Sequence, residues 1–243
     1  MKKIVLIIKE LIAFLIVISC IPLFIRHFIA KKKATILLYH NPKKELFDKH
    51  LIYLTKKYNI IPLKKLIEAI NNKNWNQIPT YPLILTFDDG HKDNYNLFDV
   101  CKVYKINPTI YVCTKIVNSL RGFWFNSVKD SEKDFLKRLS QKKRMEFLKK
   151  KYNFFQNKNL FSNKRQALNK YEILKMKKIF DFQSHSRYHA ILPTCKNKEC
   201  FEDIKNSKKD LKKIFNYPFD HFSYPNGDYS SREVTFLKKT KYF

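Results

Sequence analysis

The feature that most limits the fold is the stretch Leu83-Ile84-Leu85-Thr86-Phe87-Asp88-Asp89-Gly90-His91. Leu83 to Phe87 is apolar or β-favouring throughout, which predicts a strand buried on both faces. The strand runs directly into two adjacent carboxylates. Buried carboxylates are costly unless paired, hydrogen-bonded or on a metal, and the carboxyl end of a strand is where α/β folds assemble their chemistry. Gly90 lets the backbone leave the strand through a turn that other residues resist. Alone, the stretch also suits a plain strand-to-helix turn capped by Asp89 or Asn94, so the rest of the chain decides.

Around it the pattern alternates. Thr35 to Tyr39 predicts a first strand ending at His40, and Glu45 to Tyr58 has helical apolar spacing. Pro62 opens a helix through Ile70, and Asn71 to Tyr81 is a polar loop. Tyr95 to Tyr104 predicts a helix and Thr109 to Cys113 a strand. Ile179 to Ser184 predicts a strand that delivers His185, and Phe201 to Phe215 an amphipathic helix. His221 to Gly227 reads as a strand ending in a turn, and Glu233 to Lys239 as one more helix. Strand–helix–strand alternation of this kind argues for parallel βαβ units.

Composition sets limits on this α/β reading. A chain of 243 residues that is 44% hydrophobic can bury a sizeable core, and 3 Gly with 9 Pro excludes a low-complexity chain. The net charge of +28 is mostly lysine scattered along the chain. That reads first as a solvated surface, with an anionic polymer as the functional alternative. No nucleic-acid-binding motif accompanies the charge, so no nucleic acid is expected. Cys101 and Cys113 read as buried thiols, whereas Cys195 and Cys200, a lone C-x4-C pair, would form a small disulfide loop or a metal site only in a domain outside the cytoplasm.

Two segments stand apart. Residues 1–33 carry an apolar run, uncharged from Leu11 to Ile25 and flanked by basic residues. They predict an uncleaved membrane anchor formed by a single N-terminal helix, with a signal peptide as the competitor. Residues 34–243 would be the functional domain, placed outside the cytoplasm. Within it, a lysine-rich, glycine-free stretch at about 127–178 reads as a helical insertion without chemistry of its own.

The remaining polar motifs fall just after predicted strands. His185 and His189 lie four apart, and on a helix both would project from one face. Two such histidines and a distant aspartate make a two-histidine, one-carboxylate pattern, which leaves open positions for water and substrate. Zinc, cobalt, nickel or iron would accept these donors. In a barrel of parallel strands, Asp88-Asp89, His185 and the Tyr224-Pro225-Asn226-Gly227 turn converge on one face.

These residues also carry a resemblance. Leu85-Thr86-Phe87-Asp88-Asp89-Gly90 resembles the first motif of the polysaccharide deacetylase (NodB-homology) family. Ser184-His185-Ser186-Arg187-Tyr188-His189 is similar to the second. Phe222-Ser223-Tyr224-Pro225-Asn226-Gly227 is similar to the third, in the form of the poly-N-acetylglucosamine deacetylase branch. Leu38-Tyr39-His40 and Phe123-Trp124 also have counterparts there.

The resemblance implies a distorted, incomplete (β/α) barrel of mostly parallel strands. It implies a metal-dependent hydrolase that removes acetyl groups from N-acetylhexosamine units of an envelope polysaccharide. One divalent ion, zinc foremost, would be held by Asp89, His185 and His189, with Asp88 as general base. The backbone amide at Asn226 would hold the oxyanion, Tyr224 and Trp124 would stack on sugar rings, and Ser186 would steady the metal loop. His91 would either support the metal site from beside Asp89 or, as the favoured reading, face solvent in the turn. The family's pattern usually continues into further strands and a general-acid histidine that this sequence lacks. The expectation is therefore a C-terminally truncated domain in which His40 supplies the acid, or else an impaired member that binds glycan without hydrolysis.

Overall fold

The computed structural model describes residues 2–155, 164–215 and 219–242. Five parallel strands form one sheet: β1 (Thr35–Tyr39), β2 (Asn59–Ile60), β3 (Pro82–Phe87), β4 (Thr109–Val112) and β5 (Asp181–Ser184). The order is β1-β3-β4-β5, with the short β2 pairing to the lower part of β3. β3 is central and all six of its residues are buried, as a continuous apolar run requires. Its alternate side chains separate. Leu83, Leu85 and Phe87 enter the main core with Phe47, Leu51, Ile110 and Phe180, and Ile84 joins a smaller cluster with Ile61, Leu66 and Ala69.

Helices follow the strands. They are α3 (Lys44–Lys57), α4 (Leu63–Asn71), α5 (Phe98–Val103), α8 (Lys170–Met176), α9 (Asn197–Phe215) and α10 (Ser231–Lys239). The predicted strands and helices recur here within a few residues, apart from two segments. The 95–104 helix is shorter, because residues Lys92–Leu97 form a 3₁₀ turn before α5. The segment at 221–227 is no strand. It makes a single parallel bridge, Phe222 with Ser184, and then a 3₁₀ turn at Pro225–Gly227. Pro225 has no amide proton for a ladder and Asn226 takes a φ of 62°, so pairing cannot continue.

Between β4 and α8 lie α6 (Asp130–Arg138) and α7 (Gln141–Tyr152), packed through Leu136, Leu148 and Phe154 onto Trp124 and Ile191. Residues 156–163 of the expected insertion lie outside the described residues.

The N-terminal run divides into α1 (Lys2–Ile18) and α2 (Ile21–Phe24), with Cys20 between them at a φ of 58°. The single spanning helix expected from the sequence is therefore not found. Among the described residues no one helix is long and apolar enough to cross a membrane, although Ile4–Ile18 and Ile21–Lys32 pass that test together, bent by 58°. Every apolar side chain from Ile4 to Ile29 is exposed. The segment meets the domain at Arg26, whose guanidinium lies 4.0 Å over the Tyr81 ring.

Cys195 and Cys200 form no disulfide. Both are free and buried, with Cys200 Sγ donating to Glu233 Oε1 at 3.5 Å and Cys195 Sγ to the Ile191 carbonyl at 3.7 Å. Burial pushes the Cys200 thiol up to about 12, so it stays protonated and inert.

Candidate active site

Asp88 and Asp89 leave the carboxyl end of β3. Successive strand residues should point to opposite faces. Here Asp89 and Gly90 take φ values of 72° and 73°, which breaks the alternation and turns both carboxylates into one cavity. The turn has no slack. A Cβ on Gly90 would sit 2.7 Å from Val112 Cγ1 on β4. Backbone bonds from Cys113 N–H to the Asp89 carbonyl (3.3 Å) and from Leu168 N–H to the Gly90 carbonyl (2.9 Å) clamp it on both sides.

His185 follows β5, and the expectation of a helical His185–His189 segment is not met. Ser186 and His189 have φ values of 64° and 57°, so the chain doubles back in a tight turn and brings the imidazoles to 5.0 Å between ring centroids. A helix would need its amides bonded within the segment. Here the Ser186 and Arg187 carbonyls instead accept from the Thr114 and Lys115 amides, and the Arg187 amide donates to Asp203 Oδ1 at 3.0 Å. The Arg187 side chain bonds Asp210 Oδ2 at 2.8 Å, which pins the loop to α9. The Ser186 hydroxyl, expected to steady the loop, is buried and has no hydrogen-bond partner among the described residues.

Asp89, His185 and His189 each present a donor atom within 4.8 Å of the others. Asp89 Oδ1 lies 3.3 Å from His189 Nε2 and 3.7 Å from His185 Nε2. His185 donates Nδ1–H to the Ser223 carbonyl at 2.9 Å, which leaves Nε2 as its free lone pair. Asp89 Oδ1 is buried without a hydrogen-bond partner among the described residues, the kind of orphaned anionic oxygen that a cation satisfies. Burial pushes His189 down to about 3, so its ring is neutral and able to donate a lone pair. The three residues therefore fit one divalent cation of the zinc, cobalt, nickel or iron kind.

The two adjacent carboxylates are tuned in opposite directions. Burial raises Asp88 above the usual carboxylate range, against the nearby His185. Burial pushes Asp89 the same way, but the hydrogen bond from His91 and the His189 and His185 rings outweigh it and hold Asp89 low. His91 was expected to face solvent. Instead its Nε2 lies 3.1 Å from Asp89 Oδ2, and its side chain is only 13% exposed. The sequence signal for this was its place two residues after Asp89, at the exit of the turn. Ser223 touches two members of the site: its hydroxyl donates to Asp88 Oδ2 at 3.4 Å, and its carbonyl accepts from His185.

The cavity holding these groups has a volume of about 520 Å³. Leu38 and His40 from the end of β1, Trp124 and Phe125, and Asn226 and Gly227 complete most of its wall. Trp124 is 3% exposed. Its Nε1 donates to the His189 carbonyl at 3.2 Å, and the Arg144 guanidinium covers its ring at 5.4 Å. It is a packed wall that holds the histidine loop. Phe125 lies edge-on to His189 at 4.8 Å. Tyr224 is stacked on Tyr229 at 4.7 Å and is not among the residues lining the cavity.

A sequence profile described as polysaccharide deacetylase matches residues 77–242. No curated protein sequence matches the chain. Among solved structures, the chain is similar to a deacetylase from Streptococcus pyogenes, PplD, in complex with acetate. The TM-score is 0.61 at 21% identity, covering 86% of this chain and 81% of that one. It is similar to IcaB from Ammonifex degensii with a TM-score of 0.62 at 16% identity, covering 86% and 81%. A polysaccharide deacetylase from Bacillus cereus, BC0361, gives 0.57 at 24% identity, covering 88% of this chain and 57% of that one.

Proposed function

The chain belongs to the polysaccharide deacetylase family, hydrolases of N-acetyl amide bonds, and from that premise we propose that its cavity removes acetyl groups from N-acetylhexosamine units of an envelope polysaccharide in a metal-dependent reaction. The observation that carries this reading is the Asp89–His185–His189 cluster with a second, independently tuned carboxylate, Asp88, beside it.

Asp89, His185 and His189 would hold the divalent ion. When bound, such an ion polarises an acetamide carbonyl and lowers the pKa of water toward neutrality. Asp88 is the proposed general base. Its Oδ1 is buried and has no hydrogen-bond partner among the described residues, so it is free to take a proton from an attacking water. Its raised pKa makes it a stronger base than an exposed aspartate. Ser223 orients it through Oδ2 and orients His185 through a carbonyl, so one residue sets both partners. The turn at Asn226 borders the cavity, and its backbone amide is the proposed donor to the oxyanion. His40, at the end of β1, is the remaining imidazole among the described cavity-lining residues and is the proposed acid for the leaving amine.

We further propose that α1 and α2 together anchor the domain to a membrane, with the domain extracytoplasmic. Exposed apolar side chains from Leu11 to Ile25, with no charge among them, support that reading. Retention of the full chain in membranes after a high-salt wash, and release by detergent, tests it; release by salt alone overturns it. The catalytic reading is tested by acetate release from N-acetylglucosamine oligosaccharides with zinc or cobalt added. Binding of those oligosaccharides without turnover would favour the glycan-binding alternative.

A further inference from the structure

One wall of the cavity comes from α6, in the segment that carries no chemical motif. Lys133 and Lys137 both line it, together with Asp88, Asp89, His185 and His189. Four residues apart on a helix, their side chains leave the same face. That face is fixed in place. Leu136 is fully buried against Trp124 and Leu148. Arg144 of α7, itself fully buried, donates to the Leu136 carbonyl at 3.3 Å and covers the indole of Trp124. Trp124 in turn bonds the His189 carbonyl. Buried packing thus sets where α6 stands relative to the histidine loop.

The charges on this wall are largely uncompensated. Lys133 pairs with Asp130 at 2.7 Å, but that carboxylate is 93% exposed and heavily screened by solvent. Among the described residues no carboxylate pairs with Lys137, which is half-buried. Among the described residues neither cavity carboxylate pairs with these lysines: Asp89 lies against the histidines, and Asp88 Oδ2 accepts from Ser223. With a divalent ion bound, Asp88 and Asp89 balance the ion and leave the lysines as net positive charge.

We propose that the glycan taken by this cavity carries an anionic group, a carboxylate or a phosphate, near the sugar that loses its acetyl group, and that Lys133 and Lys137 recognise it. The proposal rests on the deacetylase reading for the identity of the reacting sugar. Charge recognition at a partly desolvated wall discriminates more strongly than the general basic surface, which salt screens.

The test compares three tetrasaccharides: neutral β-1,4-linked N-acetylglucosamine, the same chain bearing a 6-phosphate, and alternating N-acetylglucosamine and glucuronate. Binding to the zinc-loaded full chain is measured by calorimetry, with acetate release followed in parallel. The expected result is about tenfold tighter binding of a charged chain over the neutral one. The preferred charged arm identifies phosphate or carboxylate. In the Lys133→Gln/Lys137→Gln variant the preference collapses toward unity, and Lys137→Gln alone removes part of it. Lys142→Gln, exposed on α7, keeps it. Equal affinity for neutral and charged chains, or a preference that survives the double substitution, overturns the proposal. Charge-selective binding with no acetate released from any chain overturns the deacetylase reading and leaves this one standing; acetate release without charge preference does the reverse.

Discussion

His185 and Ser223 are joined by a 2.9 Å hydrogen bond from the imidazole Nδ1 to the serine carbonyl, and the same serine's hydroxyl reaches Asp88. A segment near the C-terminal end of the described chain therefore sets the tautomer of one proposed metal ligand and the orientation of the proposed base. The bridge between Ser184 and Phe222 holds that segment against β5, and the Ser223 amide bonds the Ser184 carbonyl at 2.9 Å.

If Asp89, His185 and His189 hold the ion, Asp89→Asn and His185→Ala lose stoichiometric zinc, measured by calorimetry and by metal analysis after gel filtration. Acetate release then falls by about a thousandfold or more. Full metal occupancy in both variants would remove the assignment.

Asp88 makes a separable prediction. Asp88→Asn keeps the ion, because Asp88 is not part of the Asp89–His185–His189 donor cluster. It loses roughly 10²–10⁴-fold in rate, as expected for a general base. Steady-state kinetics and metal analysis on one preparation check both halves.

His40 is expected to matter only when the leaving group needs a proton. His40→Gln slows acetate release from an N-acetylated sugar by about a hundredfold. It leaves hydrolysis of p-nitrophenyl acetate, whose leaving group departs as an anion, within a few-fold. Equal losses on both substrates would assign the acid elsewhere.

Gly90 is a structural lynchpin, with positive φ and Val112 Cγ1 2.7 Å from any added Cβ. Gly90→Ala should destabilise the fold by about 2–3 kcal/mol through strain and overpacking. Gly227 shares the positive φ but has open space around it, so Gly227→Ala should cost about 1 kcal/mol. Thermal melts of both variants compare the two.

Asp203 on α9 carries a pH signature. Burial pushes its carboxyl up to about 7, against the Arg187 amide and guanidinium, from an ordinary value of 3.8. The folded state holds this proton more tightly than the unfolded state does. The associated stability is full below about pH 4 and is lost as pH rises toward 7. Asp203→Asn should flatten the dependence of Tm on pH across that window. An unchanged slope would mean that the carboxylate is already ionised in the folded protein.

Much of this protein was legible in its residues. The unbroken apolar run of β3 can be satisfied only by burial on both sides, so a parallel sheet followed from the sequence. The placement of Asp88-Asp89, His185 and the turn holding Asn226 just after predicted strands pointed to one shared face, although the last of those strands is only a single bridge. Other features depended on contacts between distant segments. Adjacent aspartates reach one cavity because two successive left-handed residues turn the chain against Val112. His185 and His189 meet through a turn whose backbone bonds to residues 114, 115 and 203, not through a helix. His91 turns inward to Asp89, and the lysines of α6 face the cavity because Leu136 and Arg144 lock their helix onto Trp124. Periodicity and motif spacing encode local geometry and which residue types are present. Positive φ, tautomer and the docking of an insertion are set by close packing of residues far apart in the chain, and tertiary structure alone decides them.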